Sequence, residues 1–322
     1  MKYLLIANPI SGTKKDIAPM IHKVEERIVA EGHEVSLQTT EHEGHGYQLA
    51  QEALDSDYDV IVAVGGDGTV NEVAHALVGS DKILGVVPNG SGNGLARELL
   101  IPMDAKAATD TLLRHSVATI DTCTVNGTPF FVTCGIGFDA KISKEFARSE
   151  SRGIRTYAKE AITQFFNYEP KDYHLLIDGR EVTATAFLVA VANASQYGNN
   201  AFIAPTASMV DGLLDVTILK SFPNVEAPKI AFQLFTKDID NSEFTSLYKG
   251  KEIIIQSATP VNYHIDGEPM PKAKELEIKI NPHSLNVLRG EKEDRVKSAF
   301  EYFNAVTHVF SDFASDVKDY FN

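Results

Sequence analysis

The chain has 322 residues, enough to bury a sizeable core and long for one domain, so two domains are expected. Its 43% hydrophobic and 23% charged residues are those of an ordinary soluble globular protein, with no biased tract. Against 30 basic residues stand 44 acidic ones, and the net charge of -14 repels a phosphate backbone, which excludes DNA and RNA as partners and leaves at most transient contact with anionic lipid.

Cys123 and Cys134 are too few for a disulfide framework and are not arranged as C-x-x-C, so both are read as reduced core residues. Five mostly apolar residues follow Met1-Lys2 before Asn8-Pro9, too few for a secretory h-region. The longest later apolar run, residues 184–192, falls far short of the roughly 20 needed to cross a bilayer. A cytoplasmic protein, with peripheral membrane contact at most, is the expectation.

In chain order, residues 3–7 read as a strand, and Ile17, Met20, Ile21, Val24 and Ile28 share one helical face behind it. Residues 34–40 form a second strand with a weaker helix at 47–54, and 60–64 a third, followed by Val70, Val73, Ala74, Leu77 and Val78 at helical spacing. A fourth strand at 83–87 leads into a helix at 95–100. Repeated strand-helix units predict a three-layer α/β domain over residues 1–122 with a parallel sheet, whose ligands bind at the strand carboxyl ends.

From about residue 117 the texture changes to β-rich runs, with hairpins expected at Asp178-Gly179 and Asp266-Gly267. Further strands are expected at 215–219, 252–256, 275–280 and 285–288, and the only helix at 154–166. A mainly antiparallel β domain over 123–290 is therefore predicted. Beyond it, aromatic and aliphatic residues at threes and fours predict a helical tail over 291–322, acidic enough to favour packing on the first domain or on a second subunit in a homodimer over membrane binding.

Three turns carry the chemistry. "GGDGT" at residues 65–69 puts bare backbone at a helix start, where free N–H groups suit a phosphate. Thr69 and Glu72 have the T-x-x-E spacing of a capping box. Asp67 beside a phosphate is repulsive unless a metal intervenes or the carboxylate takes a proton during reaction, so Asp67 is expected to be catalytic and to work with Mg²⁺, the alternative being a turn aspartate bonded to nearby backbone. "NGSGNG" at 89–94 and "NPISG" at 8–12 would wall the same cleft. Neither G-x-G-x-x-G nor G-x-x-x-x-G-K-[ST] occurs, which weakens dinucleotide and P-loop readings. His42 and His45 lack a partner set and do not form H-E-x-x-H, so no metal site is read there.

"NPISG", "GGDGTVNEV" and "PNGSGNGLAR", continued by "IDTCTVNG", "GIGFDA", "VDGLLDV" and "HIDGEP", resemble in order the catalytic region of diacylglycerol kinases, sphingosine kinases and their bacterial soluble relatives, over about residues 1–290. GGDGT alone is shared with NAD kinases. The resemblance implies transfer of the ATP γ-phosphoryl group to a lipid hydroxyl, in a cleft between an α/β nucleotide domain and a β-sandwich. It implies a nucleotide lined by Asn8, Ser11, Gly66, Thr69, Glu72, Ser91 and Asn93, with Gly12, Thr40, Gly68 and Gly92 in the same cleft. Asp67 and Asp121 would organise Mg²⁺, Asp211 and the Leu213 carbonyl a structural Mg²⁺, and Asp139 would face the lipid head group. Asp266 matches the family's general base, with Glu268 beside it, although Asp178-Gly179 repeats the tripeptide "IDG" as an ordinary turn. Bacterial diacylglycerol kinases tend to carry Asp where this chain has Gly94, which leaves the acceptor open. Rival readings are a kinase for a soluble acceptor such as NAD and a nucleotide-binding regulator without catalysis.

Overall fold

The computed structural model describes residues 1–12, 17–148 and 168–291, so the helix expected at 154–166 and the tail beyond residue 291 lie outside the described residues. In the first part β1 (Lys2–Ala7), β2 (Glu34–Thr39), β3 (Val60–Gly65) and β4 (Ile83–Pro88) pair in parallel in the order β4-β3-β1-β2. Between and after them run α1 (Ala18–Ala30), α2 (His45–Glu52), α3 (Asp67–Leu77), α4 (Gly94–Glu98) and α5 (Ala105–Leu113).

Strand alternation explains why both sheet faces are covered. Leu4 and Ile6 of β1 pack with Leu49, Val73 and Leu77, while Tyr3, Leu5 and Ala7 pack with Ile21, Val24, Ile28 and Leu112. The helices α2 and α3 therefore close one face, and α1 and α5 the other. Arg27 of α1 donates from Nε to Asp110 of α5 at 2.8 Å, which pins those two helices together.

The second part contains β5 (Val117–Val125), β6 (Thr128–Phe130), β7 (Thr133–Gly137), β8 (Lys171–Ile177), β9 (Arg180–Ala192), β10 (Leu214–Lys220), β11 (Thr245–Gly250), β12 (Glu252–Ile265) and β13 (Glu268–Leu288). All pairings among them are antiparallel. Both Asp-Gly hairpins form, with left-handed φ of 48° at Asp178 and Asp266, the geometry of a type I′ turn.

Two expectations need correction. The runs at 275–280 and 285–288 are one strand, β13, whose register shifts between Asn281 and Leu285 and whose end pairs in parallel with β4. Two helices also occur where only β structure was expected, α6 (Phe138–Arg148) and α7 (Ala227–Thr236). For α7 the signal was Pro228 in the first turn, where its missing N–H costs nothing.

Candidate active site

The parallel register places Ala7 beside Val64, and Gly65 beside Pro88, so the three loops leaving β1, β3 and β4 emerge side by side. Backbone bonds sew their roots together: the Asn8 N–H donates to the Val64 carbonyl, the Asn89 N–H to the Gly65 carbonyl, and the Thr40 N–H to the Ala7 carbonyl. Asn89 Nδ2 reaches the carbonyl and Oγ of Ser11, both at 3.0 Å. A Cβ at Gly12 would lie 2.8 Å from Asn89 Oδ1, so only glycine allows this approach.

The glycines of the second and third loops meet each other. A Cβ on Gly90 would stand 2.7 Å from the Gly66 Cα, so Gly90 is bare because its turn rests on the other, whereas a Cβ on Gly66 would make only an ordinary contact of 3.4 Å. Gly65 is bare for Thr69, whose Oγ1 would lie 2.7 Å from a Cβ there, and Gly92 for Asp67, whose Oδ2 would lie at 2.8 Å. Gly68 differs: a Cβ there meets nothing within 4 Å. It sits in the first turn of α3, whose N-terminus has no side-chain cap.

Asp67 is the clasp between the turns. Its Oδ2 accepts the Asn93 N–H at 2.8 Å and its Oδ1 the Gly94 N–H at 2.7 Å, so the carboxylate caps α4 from α3. Asn93, left-handed at φ 51°, spends its own amide on both backbone groups of Gly90. Ser91 is exposed at the loop tip. The capping box is absent: α3 begins at Asp67, so Thr69 lies inside the helix, and Glu72 instead accepts the N–H groups of Gly44 and Gly46 at 2.7 and 2.9 Å, capping α2.

The turn between β12 and β13 faces α3. Asp266 Oδ1 accepts from the Val132 and Thr133 N–H groups at 2.8 and 2.9 Å, and Oδ2 from the Phe131 N–H at 2.9 Å and Asn71 Nδ2 at 3.2 Å. Burial pushes this carboxyl above its ordinary value, and the three amides and His264 oppose the rise. Glu268, in an exposed position, also has a raised carboxyl, through partial desolvation and then the charges of Glu43 and Asp67. Beneath the turn, His264 Nδ1 lies 3.3 Å from the Gly267 N–H and its Nε2 3.2 Å from Asp139 Oδ2, which also accepts from Tyr197 Oη at 3.1 Å. Asp139 thus caps and supports from within, with its side chain 9% exposed.

The residues expected to hold metal separate into unlike sites. Asp67 keeps one lone pair free on each oxygen, enough for an ion that takes one or two carboxylates and otherwise oxygens of nucleotide and water. Asp121 is 0% exposed and accepts the Gly212 and His283 N–H groups, both at 2.8 Å. At the Asp211 turn the Lys249 ammonium stands 3.3 Å from Asp211 and 2.9 Å from Asp215, so a lysine supplies the positive charge, and the Leu213 N–H donates to Asp211. A structural Mg²⁺ does not fit those residues as they stand. Among the described residues no group of three or more His, Cys, Asp or Glu could hold a metal ion unaided. Both thiols are buried and raised well above their ordinary value by that burial, which leaves them inert.

Residues 2–125 match the diacylglycerol kinase catalytic domain, and residues 132–289 match the YegS C-terminal NAD kinase β-sandwich-like domain. The chain belongs to the diacylglycerol kinase family. It is 29% identical over 272 residues to a protein named diacylglycerol kinase from Bacillus subtilis, covering 82% of this chain and 88% of that one. A Synechocystis protein is 32% identical over 248 residues, and the chain spans only 57% of its length. Among solved structures, a diacylglycerol kinase from Bacillus anthracis shares the fold with a TM-score of 0.69 and 22% identity, covering 90% of this chain and 97% of that one. The fold extends to an NAD kinase from Archaeoglobus fulgidus solved with ATP, at a TM-score of 0.54 and 14% identity, over 94% and 98% of the two chains. No described helix of this family member is long and apolar enough to cross a membrane.

Sequence reasoning missed Tyr197, and gave no role to Asn71, Asn89 and His264 although they lie inside the motifs it singled out. Each bonds to a residue distant in the chain, so no local spacing showed what it does.

Proposed function

We propose that this family member transfers the γ-phosphoryl group of ATP to a hydroxyl of a lipid such as diacylglycerol or a sphingoid base. The observation that carries the reading is the Asp67 clasp, which fixes two glycine turns around an uncapped helix N-terminus. Phosphates would rest on the first turn of α3, where Gly68 leaves room and the helix dipole is positive. Asn8, Ser11, Gly12 and Thr40 would form one wall, Gly66, Thr69, Ser91, Gly92 and Asn93 the other, and Glu72 would hold α2 against them. Mg²⁺ arriving with the nucleotide would be held through Asp67 and would neutralise phosphate charge.

The acceptor hydroxyl would enter from the side of the Asp266-Gly267-Glu268 turn. The apolar part of the acceptor would lie toward the cluster of Phe187, Leu188, Phe138, Tyr197 and Phe222, which borders Asp139. Contact with a bilayer would then be peripheral and brief.

Labelled ATP with Mg²⁺ should be offered together with diacylglycerol, sphingosine, phosphatidylglycerol or NAD. Label in a lipid, lost in Asp67→Ala by about a hundredfold or more, is the expected outcome. Label in NAD alone would move the assignment to a soluble acceptor, and tight ATP binding without any transfer would leave a nucleotide-binding regulator.

A further inference from the structure

The hairpin that ends β12 is built twice in this chain, once with a histidine beneath it and once without. "HIDGE" spans residues 264–268 and "LIDGR" residues 176–180, and both aspartates adopt φ 48°. Leu176 therefore shows that the turn itself needs no histidine. His264 is nevertheless buried, with its side chain 2% exposed, and both ring nitrogens are engaged.

The Gly267 N–H can only donate, so the Nδ1 that receives it at 3.3 Å carries no proton. The ring proton then sits on Nε2, 3.2 Å from Asp139 Oδ2. Asp139 is arranged to accept it: its Oδ1 takes the Ala140 N–H at 2.7 Å, and its Oδ2 the Tyr197 hydroxyl at 3.1 Å. Burial, and then Asp139, raise that phenol well above its ordinary value, so it keeps its proton and donates. Gly135 of β7 is bare for this contact, since a Cβ there would overlap Asp139 Oδ2 and stand 2.7 Å from His264 Nε2. Among the described residues, the ionisable groups around the ring are Asp139 from α6, Tyr197 from the loop after β9 and Asp266 in the turn above. Cys134 of β7, beside Gly135, is raised by burial and keeps its proton.

We infer that His264 is a positioning residue for phosphoryl transfer: Asp139 fixes its proton on Nε2, and Nδ1 then holds the Gly267 N–H and with it the turn that carries Asp266 and Glu268. The inference rests on the kinase reading above. His264 acts through the backbone of Gly267, and Asp139 is spent on the ring and not on a lipid head group. A proton added at Nδ1 would set one N–H against another and free the turn, so part of the activity is lost on acidification through this ring.

The test combines nitrogen NMR on isotope-labelled histidine with kinetics on the lipid that wild-type protein labels. In wild-type protein the His264 signals, identified by their loss in His264→Asn, should show Nε2 protonated and Nδ1 bare. Asp139→Asn turns an amide donor toward Nε2, so the ring proton should move to Nδ1 and kcat should fall about tenfold or more although His264 is intact. His264→Leu, which copies the Leu176 hairpin, should melt cooperatively and bind ADP as wild type does, with KM little changed and kcat lower by about tenfold or more. His264→Asn, whose Oδ1 replaces Nδ1 as acceptor, should recover part of that kcat and should lose less activity than wild type on acidification. A wild-type ring protonated on Nδ1, a His264→Leu enzyme within about threefold of wild-type kcat, or an Asp139→Asn enzyme altered in KM alone would overturn the positioning role. Wild-type protein that labels no acceptor would instead overturn the kinase reading and leave the tautomer result standing.

Discussion

Tyr3 and His115 show how a single half-buried contact makes this fold sensitive to pH. Tyr3 Oη lies 2.6 Å from His115 Nε2, and burial together with Asp59 pushes the phenol up to about 12, so the phenol keeps its proton and donates it. His115 is lowered from the ordinary 6.5 by burial, by His33 and by the N-terminal amine, which favours the neutral ring that accepts from Tyr3. A lowered folded-state value means that the unfolded chain binds the proton more readily. The stabilisation is therefore present above 6.5 and is lost as pH falls through the depressed value in the folded state. The melting temperature should drop on acidification from 6.5 down to that depressed value and change no further through this residue below it, and His115→Gln should flatten the drop. Equal acid sensitivity in the two proteins would remove His115 as the cause.

At the scale of elements, the glycine turns divide into those shaped by the protein and one left open for a guest. Gly90→Ala would drive a Cβ to within 2.7 Å of backbone at Gly66, and the two turns must part at a cost of roughly 1–3 kcal/mol. Gly68→Ala meets open space and replaces a poor helix former, so stability should hold or rise while ADP binds more weakly. Melting temperature and ADP titration separate the two, and a Gly68→Ala protein with unchanged ADP affinity would argue against phosphates at that turn. The strands and hairpins were legible because apolar alternation and Asp-Gly turns are local signals. Helix α7 was not, because its ten residues mix aromatic and apolar side chains that suit a strand equally well. Glu72 misled for a related reason: the T-x-x-E spacing was met, but α3 starts two residues before Thr69 and its Glu72 reaches a different helix. The partners of Asp67, Asn93 and Gly94, lie 26 and 27 residues away in a second motif, and that the two motifs bond to each other belongs to tertiary structure.

At the scale of the whole molecule, β13 makes the two parts one. Leu276 and Ile278 belong to the core of the β-rich part, whereas Leu285 and Val287 of the same strand are buried in the core beneath β1 and β3. Strand β5 follows the same course, with Cys123 and Val125 in the first of those cores and Ile120 in the second. Neither core can lose its share of β13 without dragging the other, since the strand pairs with β12, β5 and β4 in turn. The site depends on this coupling, because α3 carries Asp67 and Asn71 while the turn that opens β13 carries Asp266 and Glu268. Calorimetry should therefore show one transition whose calorimetric and van't Hoff enthalpies agree. Leu276→Ala and Leu285→Ala, placed in different cores, should each lower that same transition, by about 2–5 kcal/mol of stability. Two resolved transitions, with each substitution moving only one, would mean that the strand ends act independently and that the two halves of the site are held together by the nucleotide instead.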